Sequence, residues 1–204
     1  DNVSYGLDFA ERLLNADRPE DAIDVLKQVI VQDKTSKVAY RKLGLSYDRA
    51  GLYDNASTAY EELHALDPRD HKVAIQVSDV NIAAGKYGKA MRWAEKAITS
   101  SKSGEAYGQR GNVYYKAFQE CRSVDISIDD RIIASLAHES FKLAEENNYR
   151  RFHNSLLWLE ENEVLFGRSQ WFMLDANKKK QGYIKPDTEC YKWVEKKLEK
   201  DSSW

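Results

Sequence analysis

The chain has 204 residues, 42% hydrophobic and 31% charged, with 10 Gly, 3 Pro and a net charge of −2. That ordinary globular composition excludes a disordered chain, a collagen-like chain and a disulfide scaffold. A pI of about 6.2 provides no electrostatic footprint for a nucleic acid or an anionic membrane, and no apolar run approaches the ~20 residues that span a bilayer. Few Gly and Pro beside many Ala, Leu, Glu and Lys favour helix, because those side chains lose little rotamer freedom there.

The chain opens on Asp1 with no charged-then-apolar leader, so the expectation is a processed product or an excised fragment. Internal self-similarity follows at once. Tyr40-x2-Leu43-Gly44-x2-Tyr47 leads to Ala56-x3-Tyr60 and Pro68. A shift of 34 residues towards the start finds Phe9, Ala10 and Leu13, then Ala22, Leu26 and Val29. The same shift onwards finds Val77, Ser78 and Asn81, then Ala90, Ala94 and Ala97. A fourth copy starts one residue early with Tyr107, Gly111 and Tyr114, and its second half is displaced to Ala137-x3-Phe141-x2-Ala144 by an insertion around 121–130.

Small residues at Ala10, Ala22, Gly44 and Ala56 mark places where two helices approach closely. Gly51 and Gly85 end first helices in a left-handed turn, and Tyr53 and Tyr87 open the second helices. Asp17 is the N-cap candidate of the first repeat, with Pro19 in the first turn. Pro68 after Asp67 stops the helix before it.

This pattern resembles the tetratricopeptide repeat (TPR) family, with Tyr40 in place of Trp and Tyr60 in place of Phe. The resemblance implies an all-α fold, an α-α superhelix of about four helix-turn-helix repeats over 3–36, 37–70, 71–103 and 104–151, closed by a C-terminal helical cap over 152–204. One unit cannot bury its own apolar face, so stacked neighbours supply the core.

In the insert, Val124, Ile126 and Ile128 alternate with polar residues, which predicts an extended loop anchored by those apolar side chains. Asp129 or Asp130 then caps the next helix. Tyr149 to Lys180 has a helical pattern, with Phe152, Leu156, Leu159 and Phe166 on one face and Gly167 at a bend or end. The spacing of Cys190, Trp193, Val194 and Leu198 predicts a second helix from Pro186. Four of the five tryptophans lie between Trp158 and Trp204. They either seal the end of the array or form a dimer or partner surface.

Cys121 and Cys190 stand 69 residues apart without a C-x-x-C motif. They are two buried thiols, or one bridge closing a long loop in an oxidising compartment. The insert and the segment Cys190-Tyr191-x-Trp193 resemble those of TPR proteins of the bacterial cell envelope. That likeness implies a periplasmic or surface location, with the cytoplasm as the alternative, and a Cys121–Cys190 bridge.

No catalytic constellation emerges. His138-Glu139 begins like H-E-x-x-H, but Lys142 stands where the second His belongs. Gly104, Gly108 and Gly111 lack phosphate-loop spacing, and no Ser or Cys joins a nucleophile elbow. The paired acids fall on charged, solvated helix faces. No enzyme activity, cofactor or metal is expected.

The TPR resemblance places ligands on the face lined by the first helices. There it selects Arg41, Asp48, Lys72, Gln76, Asp79, Gln109, Asn112, Tyr115 and Lys116 as the partner-binding groove, a mixture suited to a polar peptide. Leu7, Glu11 and Gln76 depart from the Lys/Asn clamp of chaperone-adaptor TPR domains. The leading expectation is a non-catalytic scaffold for a peptide or partner protein. The alternative is a self-associating module, a homodimer through the aromatic C-terminus. RNA binding is disfavoured, because the net charge divides into about −5 over residues 1–177 and +3 beyond.

Overall fold

In the computed structural model, which describes residues 2–202, eight helices follow one another as antiparallel pairs: α1 (Asn2–Asn15) with α2 (Pro19–Gln32), α3 (Lys37–Arg49) with α4 (Tyr53–Leu66), α5 (His71–Ala83) with α6 (Tyr87–Ser101), and α7 (Gly104–Cys121) with α8 (Ile128–Glu146). Their starts recur because their caps recur. The side-chain oxygens of Ser36, Asp70 and Ser103 accept from the backbone N–H of Ala39, Lys72 and Ala106 at the heads of α3, α5 and α7. Each satisfies an N–H that the first turn leaves without a helical partner.

The turns between paired helices also share one geometry. Gly51 and Gly85 both sit at φ +70°, where a Cβ is unfavourable. In the first hairpin the equivalent left-handed residue is Asp17, at φ 55°, which Asp tolerates better than most residues. Asp17 is therefore the turn residue and not the expected N-cap. Arg18 occupies the cap position with no side-chain cap bond, and Pro19 opens α2.

The helices of a pair touch where the side chain vanishes. A Cβ on Gly44 would lie 2.5 Å from the ring of Tyr60, and one on Gly111 would lie 2.5 Å from the ring of Phe141. Ala10, Ala22, Ala56 and Ala90 are fully buried at the corresponding contacts.

The chain divides into two compact units, Asp1–Ser100 and Ser101–Trp204. The first holds α1 to α6. In the second, α7 and α8 run to 18 and 19 residues against 13 to 15 for the earlier helices. The insertion is thus taken up largely as longer helices joined by a short loop. Val124 in that loop is fully exposed and anchors nothing. Ser127, not Asp129 or Asp130, caps α8: its hydroxyl accepts from the Asp130 N–H at 3.1 Å while the Asp130 carboxylate accepts from the Ser127 N–H at 2.9 Å. That reciprocal pair is a capping box.

Beyond α8 the expected long helix is broken into α9 (His153–Glu161), α10 (Arg168–Met173) and α11 (Ala176–Lys180). The break follows from Glu163 at φ 53° and from an extended stretch that α8 holds in place. Arg131 donates to the carbonyls of Glu163 and Leu165, and the Phe166 N–H donates to the Ser135 hydroxyl. The helix expected from Pro186 does not form. One 3₁₀ turn (Glu189–Tyr191) stands there, followed by strand β2 (Leu198–Glu199) paired antiparallel with β1 (Tyr183–Ile184).

That final segment is a strap across α8, and Asp129 and Asp130 hold it. The buried Asp129 carboxylate accepts the backbone N–H groups of Asp187 and Thr188 at 3.0 and 2.9 Å. Asp130 accepts the Tyr191 hydroxyl at 2.7 Å. Burial, and then that bond, hold the Tyr191 phenol above its ordinary range. Lys196 reaches Glu139 at 2.8 Å, Trp193 stacks on Tyr114 with centroids 5.9 Å apart, and a disulfide joins Cys190 to Cys121 with a Cα–Cα separation of 6.2 Å.

Candidate functional site

In the first unit, the face of α3 opens into a concavity of about 470 Å³ lined by Lys37, Val38, Arg41, Lys42 and Leu45. Val38, 52% exposed, and the half-buried Leu45 are its apolar part. Their spacing of seven residues puts them on one side of the helix. Three cations surround them, each held by an acid from another element. Lys37 bonds Asp67 at 2.8 Å, Lys42 bonds Glu11 at 3.2 Å, and Arg41 bonds Asp70 at 3.2 Å. These exposed pairs fix side-chain positions more than they add stability.

Arg41 also donates to Gln76 Oε1 on α5 at 3.2 Å, so two of the expected groove residues are directly joined. Asp48 is half-buried, and that burial raises its carboxyl above the ordinary value. The buried Tyr60 phenol is pushed up to about 12, first by burial and then by the negative charge of Asp48, with Asp79 adding to it and Arg41 opposing it. Arg41, Asp48, Gln76 and Asp79 therefore form one electrostatic neighbourhood above Tyr60. Lys72 is exposed in the first turn of α5, where its N–H bonds the Asp70 cap at 3.0 Å.

The residues expected from α7 behave differently. Gln109 is buried, 4% exposed, and presents no surface to a ligand. Tyr115 packs edge-on against Phe141 and Trp158 at 6.0 and 6.3 Å, as part of the aromatic core of the second unit. Asn112 is half-buried and Lys116 exposed. Selecting polar residues alone overlooks Val38 and Leu45, although an apolar pair at i and i+7 flanking Arg41 is visible in the sequence as a solvent-facing stripe. Lys37 and Lys42 escape notice because their role depends on acids about 30 residues away.

A Ser57–Lys89–Glu61 grouping has the composition of an activated nucleophile, but not the access. Ser57 is fully buried. It donates to Glu61 at 2.7 Å and accepts from Lys89 at 3.0 Å and from Asn81 at 2.9 Å. Burial pushes the Glu61 carboxyl up, and the bonds from Lys89 and Ser57 outweigh it, so the carboxyl stays lowered and charged. This is a buried polar network between helices, in which only the Asn81 Oδ1, among the described buried atoms of the group, lacks a partner. Among the described residues, no group of three or more His, Cys, Asp or Glu could hold a metal ion, and no helix is long and apolar enough to cross a membrane.

The aromatic C-terminal segment is turned inward. Trp158 packs with Tyr115 and Phe118, Trp171 is buried, and Trp193 lies on Tyr114. Phe172 and Met173 are the large apolar side chains that α10 leaves exposed. Trp204 lies outside the described residues.

No family model matches the sequence, and no curated protein does. Solved structures do match. MamA (residues 41 to the end) from Desulfovibrio magneticus RS-1 aligns with a TM-score of 0.62 at 17% identity, over 80% of this chain and 86% of its own. Another MamA crystal structure aligns at 0.59 and 25% identity, over 72% of this chain and 79% of its own. YrrB, a TPR protein with an unusual peptide-binding site, aligns at 0.53 and 16% identity, over 78% and 77%. With its recurrent caps, left-handed turns and small-residue contacts at the 34-residue spacing, and with the same architecture in these structures, the chain has the tetratricopeptide-repeat fold.

Proposed function

We propose that the chain is a non-catalytic protein-interaction scaffold that holds a peptide or partner segment along the face of its first helices, with residues 3–151 as the array and 152–204 as its closing segment. The observation that carries this reading is the α3 concavity. Val38 and Leu45 form an apolar seat, and Lys37, Arg41 and Lys42 around it are already oriented by acids and by Gln76. An apolar seat with a few oriented polar groups is the usual composition of a recognition site, and pre-set side chains lower the entropy cost of binding. Lys72, Asp48 and Asp79 extend the polar rim in the first unit, and Asn112 and Lys116 are the accessible candidates on α7. The Cys121–Cys190 bridge supports an oxidising compartment, as in a periplasm or at a cell surface.

The test is a selection of random displayed peptides on the immobilised chain, followed by affinity measurement in solution. Selected peptides should carry an apolar side chain that is needed for binding. Val38→Asp should weaken them about tenfold or more, since burying one such side chain is worth ~1.5–3 kcal/mol, with the circular dichroism unchanged. Failure to select any peptide, or equal affinity for Val38→Asp, refutes the reading.

A further inference from the structure

In the second unit, α10, α11 and the turn into β1 gather positive charge. Residues 168–185 hold five cations (Arg168, Lys178, Lys179, Lys180 and Lys185) against one acid, Asp175, a net +4 in a chain whose total is −2. The Asp175 carboxylate is engaged locally, accepting the backbone N–H groups of Asn177 and Lys178 at 2.9 and 3.0 Å. Asp187 stands 3.7 Å from Lys178 in an exposed pair, which water screens. Within this field α10 buries Trp171 and leaves Phe172 and Met173 in solvent, 59% and 72% exposed. Cations flank both. The Arg168 guanidinium and the Lys179 ammonium lie 5.5 and 6.0 Å from the centre of the Phe172 ring, and Lys179 also donates to the Phe172 carbonyl at 2.6 Å. Lys178 and Met173 border the same concavity. One exposed apolar side chain is ordinary, but two in a row with cations held against them are a built arrangement.

We propose that Phe172 and Met173 dip into the headgroup region of an anionic lipid bilayer while the cations around them meet its phosphates. Shape and charge together select a bilayer over a protein. In the α3 seat, Val38 and Leu45 line a recess that receives a side chain. Phe172 and Met173 instead stand out in solvent, as apolar groups that enter a soft phase must. Lys and Arg suit the same boundary, because their stems run along apolar surface while their charged heads stay at the phosphate level. Each of them adds attraction to an anionic surface. The whole-chain charge averages this local excess away. The contact is peripheral and needs no spanning helix, and its residues are separate from the α3 seat.

The experiment is co-sedimentation of the whole, disulfide-bonded chain with sucrose-loaded vesicles at low salt. One set is phosphatidylcholine alone, and the other is phosphatidylcholine and phosphatidylglycerol in equal parts. The chain should pellet with the anionic vesicles and not with the neutral ones, and about 0.5 M salt should weaken that binding. Lys178→Gln with Lys180→Gln should weaken it about 25-fold, at about fivefold per cation. Phe172→Ser with Met173→Ser should weaken it about tenfold or more. Circular dichroism and the thermal transition should not change, because Phe172 and Met173 are mostly in solvent. A chain that stays in the supernatant with anionic vesicles overturns the proposal and leaves the patch to an acidic protein segment. Binding indifferent to the Phe172 and Met173 exchange overturns it as well, since charge alone then accounts for it. Peptide binding at the α3 seat should survive both double variants, so failure of one reading is separable from failure of the other.

Discussion

Gly44→Ala tests the helix contact on which the register of the array depends. In an isolated helix this change stabilises, because Ala is better than Gly by ~0.8–1.0 kcal/mol. Here the new methyl would lie 2.5 to 2.7 Å from three atoms of the Tyr60 ring. Tyr60 is buried and cannot step aside without moving α4 against α3. Overpacking of that kind costs ~1–3 kcal/mol. The two effects together predict a net loss of up to about 2 kcal/mol and therefore a lower melting temperature, by several degrees for a unit of this size. The assay is thermal unfolding of Gly44→Ala, Tyr60→Leu and the double variant. Once Tyr60→Leu has removed the ring, Gly44→Ala should be neutral or stabilising, so the pair should couple with the favourable sign. A raised melting temperature for Gly44→Ala in the wild-type background would refute the close contact and the repeat register built on it.

Two further outcomes follow from other parts of the structure. A 69-residue disulfide loop restricts the unfolded chain by about 4 kcal/mol. Reduction, or Cys121→Ser with Cys190→Ser, should lower denaturant stability by a large part of that and expose the strap to trypsin at Lys192; a loss under about 1 kcal/mol would contradict it. The second outcome concerns alkaline pH. Tyr60 keeps its proton to about pH 12, against 10 for the ordinary phenol, so the unfolded chain deprotonates first. Stability is then complete below pH 10 and is lost as pH rises from about 10 to 12. Tyr60→Phe should flatten that alkaline decline in a pH series of thermal melts, and an unaltered slope would exclude the burial argument.

How legible a feature is in the sequence depends on how far apart its cause and its effect lie. The hairpins are readable because each signal is local or recurs every 34 residues: a turn glycine at φ +70°, or a glycine facing the ring of its paired helix. Asp17 misleads because aspartate suits both an N-cap and a left-handed turn. Comparison with Gly51 one repeat later decides between them. The α3 seat is half legible. Arg41 stands out as a polar residue on the ligand face, whereas the acids that orient Lys37, Arg41 and Lys42 lie 29 to 31 residues away. The strap is the least legible part. Its i, i+3, i+4 spacing reads as a helix, but backbone amides of Asp187 and Thr188 are claimed by Asp129 across 58 and 59 residues. No periodicity encodes such a bond. Buried carboxylates beside a helix start look like caps until their partners are seen.

The disulfide also divides the chain mechanically. In the first unit the side-chain bonds of Lys37, Arg41, Lys42, Arg49 and Lys86 join residues no more than 35 apart, so under tension it can peel helix by helix. In the second unit the covalent link carries the load directly from Cys121 to Cys190. The intervening residues form a slack loop that cannot lengthen, however hard the ends are pulled. At ~3.3–3.6 Å per extended residue, about 230 Å of contour length stays hidden until a reductant cuts the bond. A pulled molecule would therefore report its redox state as a length.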